Sequence, residues 1–258
     1  MKYVLILLTI FSTISLQSQN AFKAGENLTF TASYKMSGLL TDIAQVSMQT
    51  KEVKTSKSTL LHLKCTARTY SKWDGFFKVR DLYESYVNPN SLNPYLYKRD
   101  INEGSYYKFV KYTFNHGTKK VNSLQKKRRK DGTFWEQKKS VNIKSNTKDL
   151  VTTIYHLRNL DIHKASVGDS ETFPVIFDHV ENLVTIKYLS KETINTALGS
   201  KECYKLAISI NNSDLLQGTN DNLLWLTADE NKIPVYAKFK VAVGSGELRI
   251  NSASGLKN

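Results

Sequence analysis

Five basic residues stand in succession, Lys126, Lys127, Arg128, Arg129 and Lys130, just ahead of the aromatic pair Phe134 and Trp135. Clustered cations attract polyanions, and adjacent aromatic rings add an apolar contact. Three readings fit that chemistry: a nucleic-acid patch, a docking arm for anionic membranes or glycans, and a solvated hairpin. Lysine dominates the basic residues of the chain. It is a strongly hydrated point charge, whereas bidentate phosphate reading favours arginine. The cluster therefore reads as a generic positive surface.

The remaining chemistry-bearing residues are spaced less productively. The histidines, His62, His116, His156, His163 and His179, are scattered. His156 and His163 are seven apart, too wide for a metal pair on one helix face. Asp178-His179-x-Glu181 offers donors to a cation but also reads as an ordinary polar loop. Asp229-x-Asn231 is shorter than a calcium loop demands. Gly244-Ser245-Gly246 reads as a hairpin turn, and no nucleophile elbow, phosphate loop or zinc signature is present. The sequence thus assigns no catalytic residue, metal ligand or cofactor. Tyr155 and Arg158 are three apart and share a helix face. Arg158 is expected to pair with a strand carboxylate and pin that helix, with Tyr155 beside it.

The first residues set the compartment. Lys2 supplies a positive start, Tyr3 to Phe11 an apolar run, and Leu16-x-Ser18 a small-residue cleavage pattern. That is the build of a secretory signal peptide, predicted to span 1–18. The apolar run is well short of the ~20 residues that cross a bilayer, and no other stretch reaches that length. The mature chain is expected to be exported, periplasmic or secreted. Export argues against chromosomal DNA as a partner. Lys+Arg 37 against Asp+Glu 23 gives a net charge of +14, and the available polyanions are lipid head groups, lipopolysaccharide and acidic glycans.

The elements that must hold these residues are mostly strands. Leu28, Phe30, Ala32, Tyr34 and Met36 alternate with polar residues, the period of a half-buried strand. The pattern recurs at Leu61–Ala67, Tyr106–Phe114, Val184–Tyr188, Tyr204–Ile210 and Val235–Val243. One segment is helical: in 149–160 the residues Leu150, Val151, Ile154, Leu157 and Leu160 keep helical spacing, with Asn146 or Thr147 as the cap. The expected fold is mainly β, a curled antiparallel sheet or barrel around one central helix, as a single domain over 19–258. The basic run falls between the turns Asn115-His116-Gly117 and Asp131-Gly132. Its first arm shows almost no apolar phase, so Lys119–Ser140 is predicted to be an exposed edge hairpin. Cys65 shares its phase with Leu61 and Leu63 and is expected inside; Cys203 opposes Tyr204 and Leu206 and is expected on the other side, with no disulfide between them.

Several phrases together resemble the domain-of-unknown-function family 3108. They are Gly25–Met48, Phe76–Pro94, the helix with Tyr155-x-x-Arg158, Tyr188–Leu206 and Leu223–Leu248. The resemblance implies an exported bacterial protein with a β-rich, barrel-like fold, and it carries over no catalytic residue. The basic run lies outside the matching phrases.

Taken together, the expectation is a non-catalytic envelope protein that binds an apolar or amphiphilic ligand, such as a lipid, in a barrel interior. The alternatives are a protein that docks to anionic envelope surfaces through Lys126, Lys127, Arg128, Arg129, Lys130, Phe134 and Trp135, and a hydrolase.

Overall fold

The computed structural model describes residues 20–36, 39–211, 222–241 and 244–258. The expected leader, Met1 to Ser18, lies outside the described residues, as does Val243.

Two antiparallel meanders make one sheet. The first runs through β1 (Asn27–Met36), β2 (Leu39–Lys54), β3 (Thr59–Thr69), β4 (Arg80–Val87), β5 (Pro94–Glu103), β6 (Tyr106–Asn115), β7 (Lys120–Arg128) and β8 (Phe134–Asn142). The helix α1 (Leu150–Arg158) follows. The second meander is β9 (Ser170–Phe177), β10 (Val180–Thr196), β11 (Gly199–Ile210), β12 (Leu223–Thr227), β13 (Pro234–Val241) and β14 (Gly244–Ser254). β1 pairs with β14, so first and last strands meet mid-sheet and the edges are β8 and β9. The sheet is curled but not closed, and α1 joins its two edges through the concave side, touching β3, β4 and β9. Register shifts at Thr29/Phe30, Ala32/Ser33 and Tyr188/Ser190 mark bulges, which sharpen twist and help the sheet curl.

The alternating phases are visible in burial. Leu28 and Phe30 are buried on β1, but beyond the shift at Ala32 it is Ser33 that is buried. Val110, Tyr112 and Phe114 line the inside of β6. One apolar cluster fills the space between α1 and the first meander, with Leu28, Leu63, Tyr97, Tyr112, Val151 and Tyr155 among its members. A second lies between α1 and β9–β12 and holds Leu157, Val175, Val184, Tyr204, Leu206 and Leu226. The concavity expected to receive a ligand is therefore occupied by the helix and these side chains.

Three expectations need correction. The helix is capped by Asp149, which accepts a hydrogen bond from the Thr152 backbone N–H at 2.9 Å, and neither Asn146 nor Thr147 is the cap. Its buried face is Val151, Thr152, Tyr155, Leu157 and Arg158, while Leu150 and Ile154 are half-exposed. Polar residues enter the core there because each finds hydrogen-bond partners, which apolar spacing does not register. Cys203 is fully buried and Cys65 is the half-buried one. The reason is that β11 is covered on both faces: Cys203 belongs to the first cluster, Tyr204 and Leu206 to the second. Both thiols are free.

The hairpin β7–β8 occupies one sheet edge, as its turn chemistry predicts. Its first arm is not exposed throughout. Val121, Ser123 and Gln125 are buried on the concave side, a phase hidden in the sequence because two of the three are polar.

The opposite edge comes back to the same place. The β9–β10 turn holds Asp178 and His179, both at positive φ (43° and 67°), the mirror-image turn geometry of two-residue hairpins. Asp178 accepts from the Arg99 guanidinium on β5, and from Lys108 Nζ on β6 at 2.8 Å on each oxygen. After β8 the chain lays Lys148 beside β9, giving Lys148 N–H to Pro174 O and Ile176 N–H to Lys148 O, each 2.9 Å. Side chains and one short parallel bridge thus span the gap that no continuous ladder closes.

Candidate functional site

The concave side holds one arrangement with catalytic geometry at first sight. Ser123 Oγ on β7 lies 2.7 Å from His179 Nδ1, and His179 Nε2 lies 2.5 Å from Gln125 Oε1. With Gln125 accepting from Nε2–H, Nδ1 accepts from the serine hydroxyl. That is a serine–histidine pair, but its third member is a neutral amide. A carboxylate there would stabilise the imidazolium that forms on proton transfer, whereas an amide orients the ring and brings no charge. Burial first, and Lys139 second, hold the His179 pKa below its ordinary value, so the charged form is further disfavoured. Ser123 is itself buried in the strand.

A second group of buried polar residues sits at the start of α1. Asp149 is fully buried and its Oδ2 accepts from Ser85 Oγ at 2.6 Å and Thr152 Oγ1 at 2.9 Å. Burial pushes its pKa up to about 6. Lys148 donates to Ser91 O, Leu92 O and Asn93 Oδ1 at 3.0, 3.1 and 3.0 Å, and burial pulls its pKa down to about 8. All these contacts bind one piece of chain to another and expose no reactive atom. The metal ligands weighed in the sequence are likewise spent. Asp178 is paired as described, and Glu181 accepts from Lys144 N–H at 2.6 Å and Thr147 Oγ1 at 2.5 Å. Asp229 Oδ1 caps its own turn, accepting from Asn231 and Lys232 N–H at 3.0 Å each. No group of three metal-ligating side chains occurs among the described residues.

The apolar candidate lies beside the helix. Leu150, Thr153 and Ile154 of α1 face Val175 and Phe177 of β9, Val184 of β10, and Ile208 and Ile210 of β11 across a half-open groove of about 290 Å³. Asn182 is the amide on its wall. The groove exists because the apolar spacing of α1 is wider than its buried face: Leu157 goes into the second cluster, while Leu150 at the margin of the second and Ile154 at the margin of the first stay half-exposed. Its size falls just below the ~300–1,000 Å³ of small-molecule sites, and its lining has the mainly apolar character such sites share.

The residues singled out in the sequence fall in two places. Arg158 and Tyr155 are fully buried. The Arg158 guanidinium meets Glu26, just before β1, at 2.6 and 2.7 Å, and donates to Asn231 O and Ala21 O. Tyr155 Oη accepts from Thr50 Oγ1 at 3.2 Å. At the hairpin, Lys126 and Lys127 are half-buried and Arg128, Arg129 and Lys130 are exposed at the tip. Lys126 pairs with Glu136 at 3.0 Å, Phe134 packs edge-on to Tyr107, and Trp135 is half-buried on the other side of the strand. The apolar groove was not singled out in the sequence, since it is made by residues from four elements.

The model of the family described as "Protein of unknown function (DUF3108)" matches residues 29–251. No curated protein matches. Among solved structures, a β-barrel-like protein of domain of unknown function DUF1849 from Brucella abortus is similar, with a TM-score of 0.53 at 6% identity over 88% of this chain and 96% of that one. A protein with a YmcC-like fold from Bacteroides fragilis gives a TM-score of 0.37 at 8% identity, over 90% of this chain and 97% of that one.

Proposed function

The chain belongs to the DUF3108 family of proteins of unknown function, and from that premise we propose that it is an exported, non-catalytic cell-envelope protein that binds an apolar or amphiphilic molecule. The observation that carries this reading is the groove between α1 and β9–β11, where apolar side chains on a helix and three strands face one another without filling the space. Binding moves from the interior of the curl to this flank, because the interior is packed. The signal-like start of the sequence supports export. The amide in place of a carboxylate beside His179 supports a role without catalysis.

A fluorescent polyene fatty acid tests the site directly. The mature protein is expected to enhance its emission saturably, and Ile154→Trp, which fills the groove, is expected to abolish that enhancement while keeping the fold. Equal binding by both proteins places the ligand elsewhere. No binding to wild type, together with no lipid in native mass spectra of the purified protein, overturns the reading.

A further inference from the structure

The convex face of β5–β8 carries a line of lysines that the sequence disperses. Lys98 on β5 stands opposite Lys111 on β6, Lys111 opposite Leu124 on β7, and Leu124 opposite Lys138 on β8. Neighbouring strands are about 5 Å apart, so these four side chains form one row across the sheet. Two residues along each strand runs a second row, Leu96, Thr113, Asn122 and Ser140. Between the rows lies a groove of about 430 Å³, with Lys111, Thr113, Asn122, Leu124, Lys138 and Ser140 in its walls.

Like charges directly across a strand pair are destabilising. The chain nevertheless sets Lys98 against Lys111 and gives neither an ion pair among the described residues. Two carboxylates share this face: Glu84, opposite Lys98, bonds His62 at 2.9 Å, and Glu136 lies between Lys126 at 3.0 Å and the row's own Lys138 at 3.5 Å. Lys138 thus shares one exposed carboxylate, and neither Lys98 nor Lys111 holds one in an ion pair among the described residues, so the row keeps an excess of positive charge for a partner.

We infer that this face binds a linear acidic polysaccharide laid across the strands. The lysine row meets its acid groups, Thr113, Asn122 and Ser140 meet its hydroxyls, and Leu124 offers an apolar contact to the C–H face of a sugar ring. Charge, hydroxyl partners and a channel running across the strands all match a polyhydroxylated anionic chain. A lipid surface would instead call for several apolar anchors standing proud of this face, and among the described residues Phe134, 60% exposed beside Tyr107, stands there alone. The five-residue cluster at the hairpin adds little here, because Lys126 is spent on Glu136 and Arg128 donates to Ser105 O at 3.0 Å. This site is on the opposite side of the sheet from the helix and does not depend on the apolar groove.

Alginate oligomers, titrated at low ionic strength, test it. Wild type is expected to bind them with an affinity that falls as salt is added. The triple variant Lys98→Ser/Lys111→Ser/Lys138→Ser is expected to lose roughly tenfold or more. The tip variant Arg129→Ser/Lys130→Ser is expected to change binding by less than about threefold. Removing opposed like charges should leave the thermal midpoint equal or higher; if the triple variant fails to fold, Lys111→Gln alone is expected to show the loss. Four results overturn the inference: no alginate binding by wild type, equal binding by wild type and the lysine variants, equal binding of neutral dextran, or binding to vesicles of phosphatidylglycerol and phosphatidylcholine without binding to alginate.

Discussion

Arg158 and Glu26 face each other fork to fork, at 2.6 and 2.7 Å, with both side chains out of solvent. The pair ties the last turn of α1 to the entry of β1, and through Asn231 to the approach of β13. Truncating one member leaves the other buried and uncompensated. Arg158→Ala is expected to cost about 3–5 kcal/mol in urea unfolding. Arg158→Met with Glu26→Met is expected to recover most of that loss. A single variant with an unchanged midpoint would show that the pair pins nothing.

Asp149 and His156, on one short helix, are expected to oppose each other in pH. Burial raises the Asp149 carboxyl to about 6, against about 3.9 unfolded. Its stabilising contribution is complete below about pH 4 and is lost as pH rises through 6, on the order of 3 kcal/mol. Burial, then Lys148, lowers His156 to about 4, so its contribution is complete above about pH 6.5 and is lost as pH falls through 4. Relative to wild type, Asp149→Asn should gain stability with rising pH between 4 and 6, and His156→Gln should lose it. Parallel curves for all three proteins would refute the assignment.

Both cysteines should count as thiols and be slow to react in the native state. Burial raises Cys65 to about 12 and Cys203 to about 11, so neither forms thiolate near neutral pH. Ellman's reagent is expected to titrate two thiols in denaturant and almost none quickly in the folded protein. A denatured monomer with no reactive thiol would mean a disulfide.

Gly255 lies at φ +65°, and a Cβ there would sit 2.1 Å from the Gly25 carbonyl oxygen. Gly255→Ala is expected to destabilise by more than about 1 kcal/mol, since both the conformation and the space require glycine. An unaltered thermal midpoint would show that the C-terminal segment detaches freely.

The β-rich class and the place of the helix were legible because alternation and helical spacing are local signals. Burial beyond the first neighbour shell was not. Cys203 does face away from Tyr204 and Leu206, as its phase requires, but that opposite face of the strand is covered too. The helix was read by its apolar residues, yet Thr152 and Arg158 are buried and Ile154 borders a groove. The basic run drew attention by being contiguous. The lysine row is assembled by register between β5, β6 and β8, and no local pattern contains that register.

The β1–β14 pairing has a consequence for the order in which this protein is made. β2 reaches β1 almost at once, whereas β14 follows roughly 200 residues later. Until then β1 is a bare edge, and so is β13 from its own synthesis onward. A chain interrupted inside β14 is therefore not a slightly shortened barrel wall but two meanders parted at the centre, each showing an unpaired strand to its neighbours. The final strand acts as a latch that closes the middle of the sheet last. A circular permutant that joins Asn258 to Asn20 and opens at Gly132 would move that latch to the hairpin, keep every strand pair, and let the middle of the sheet form first.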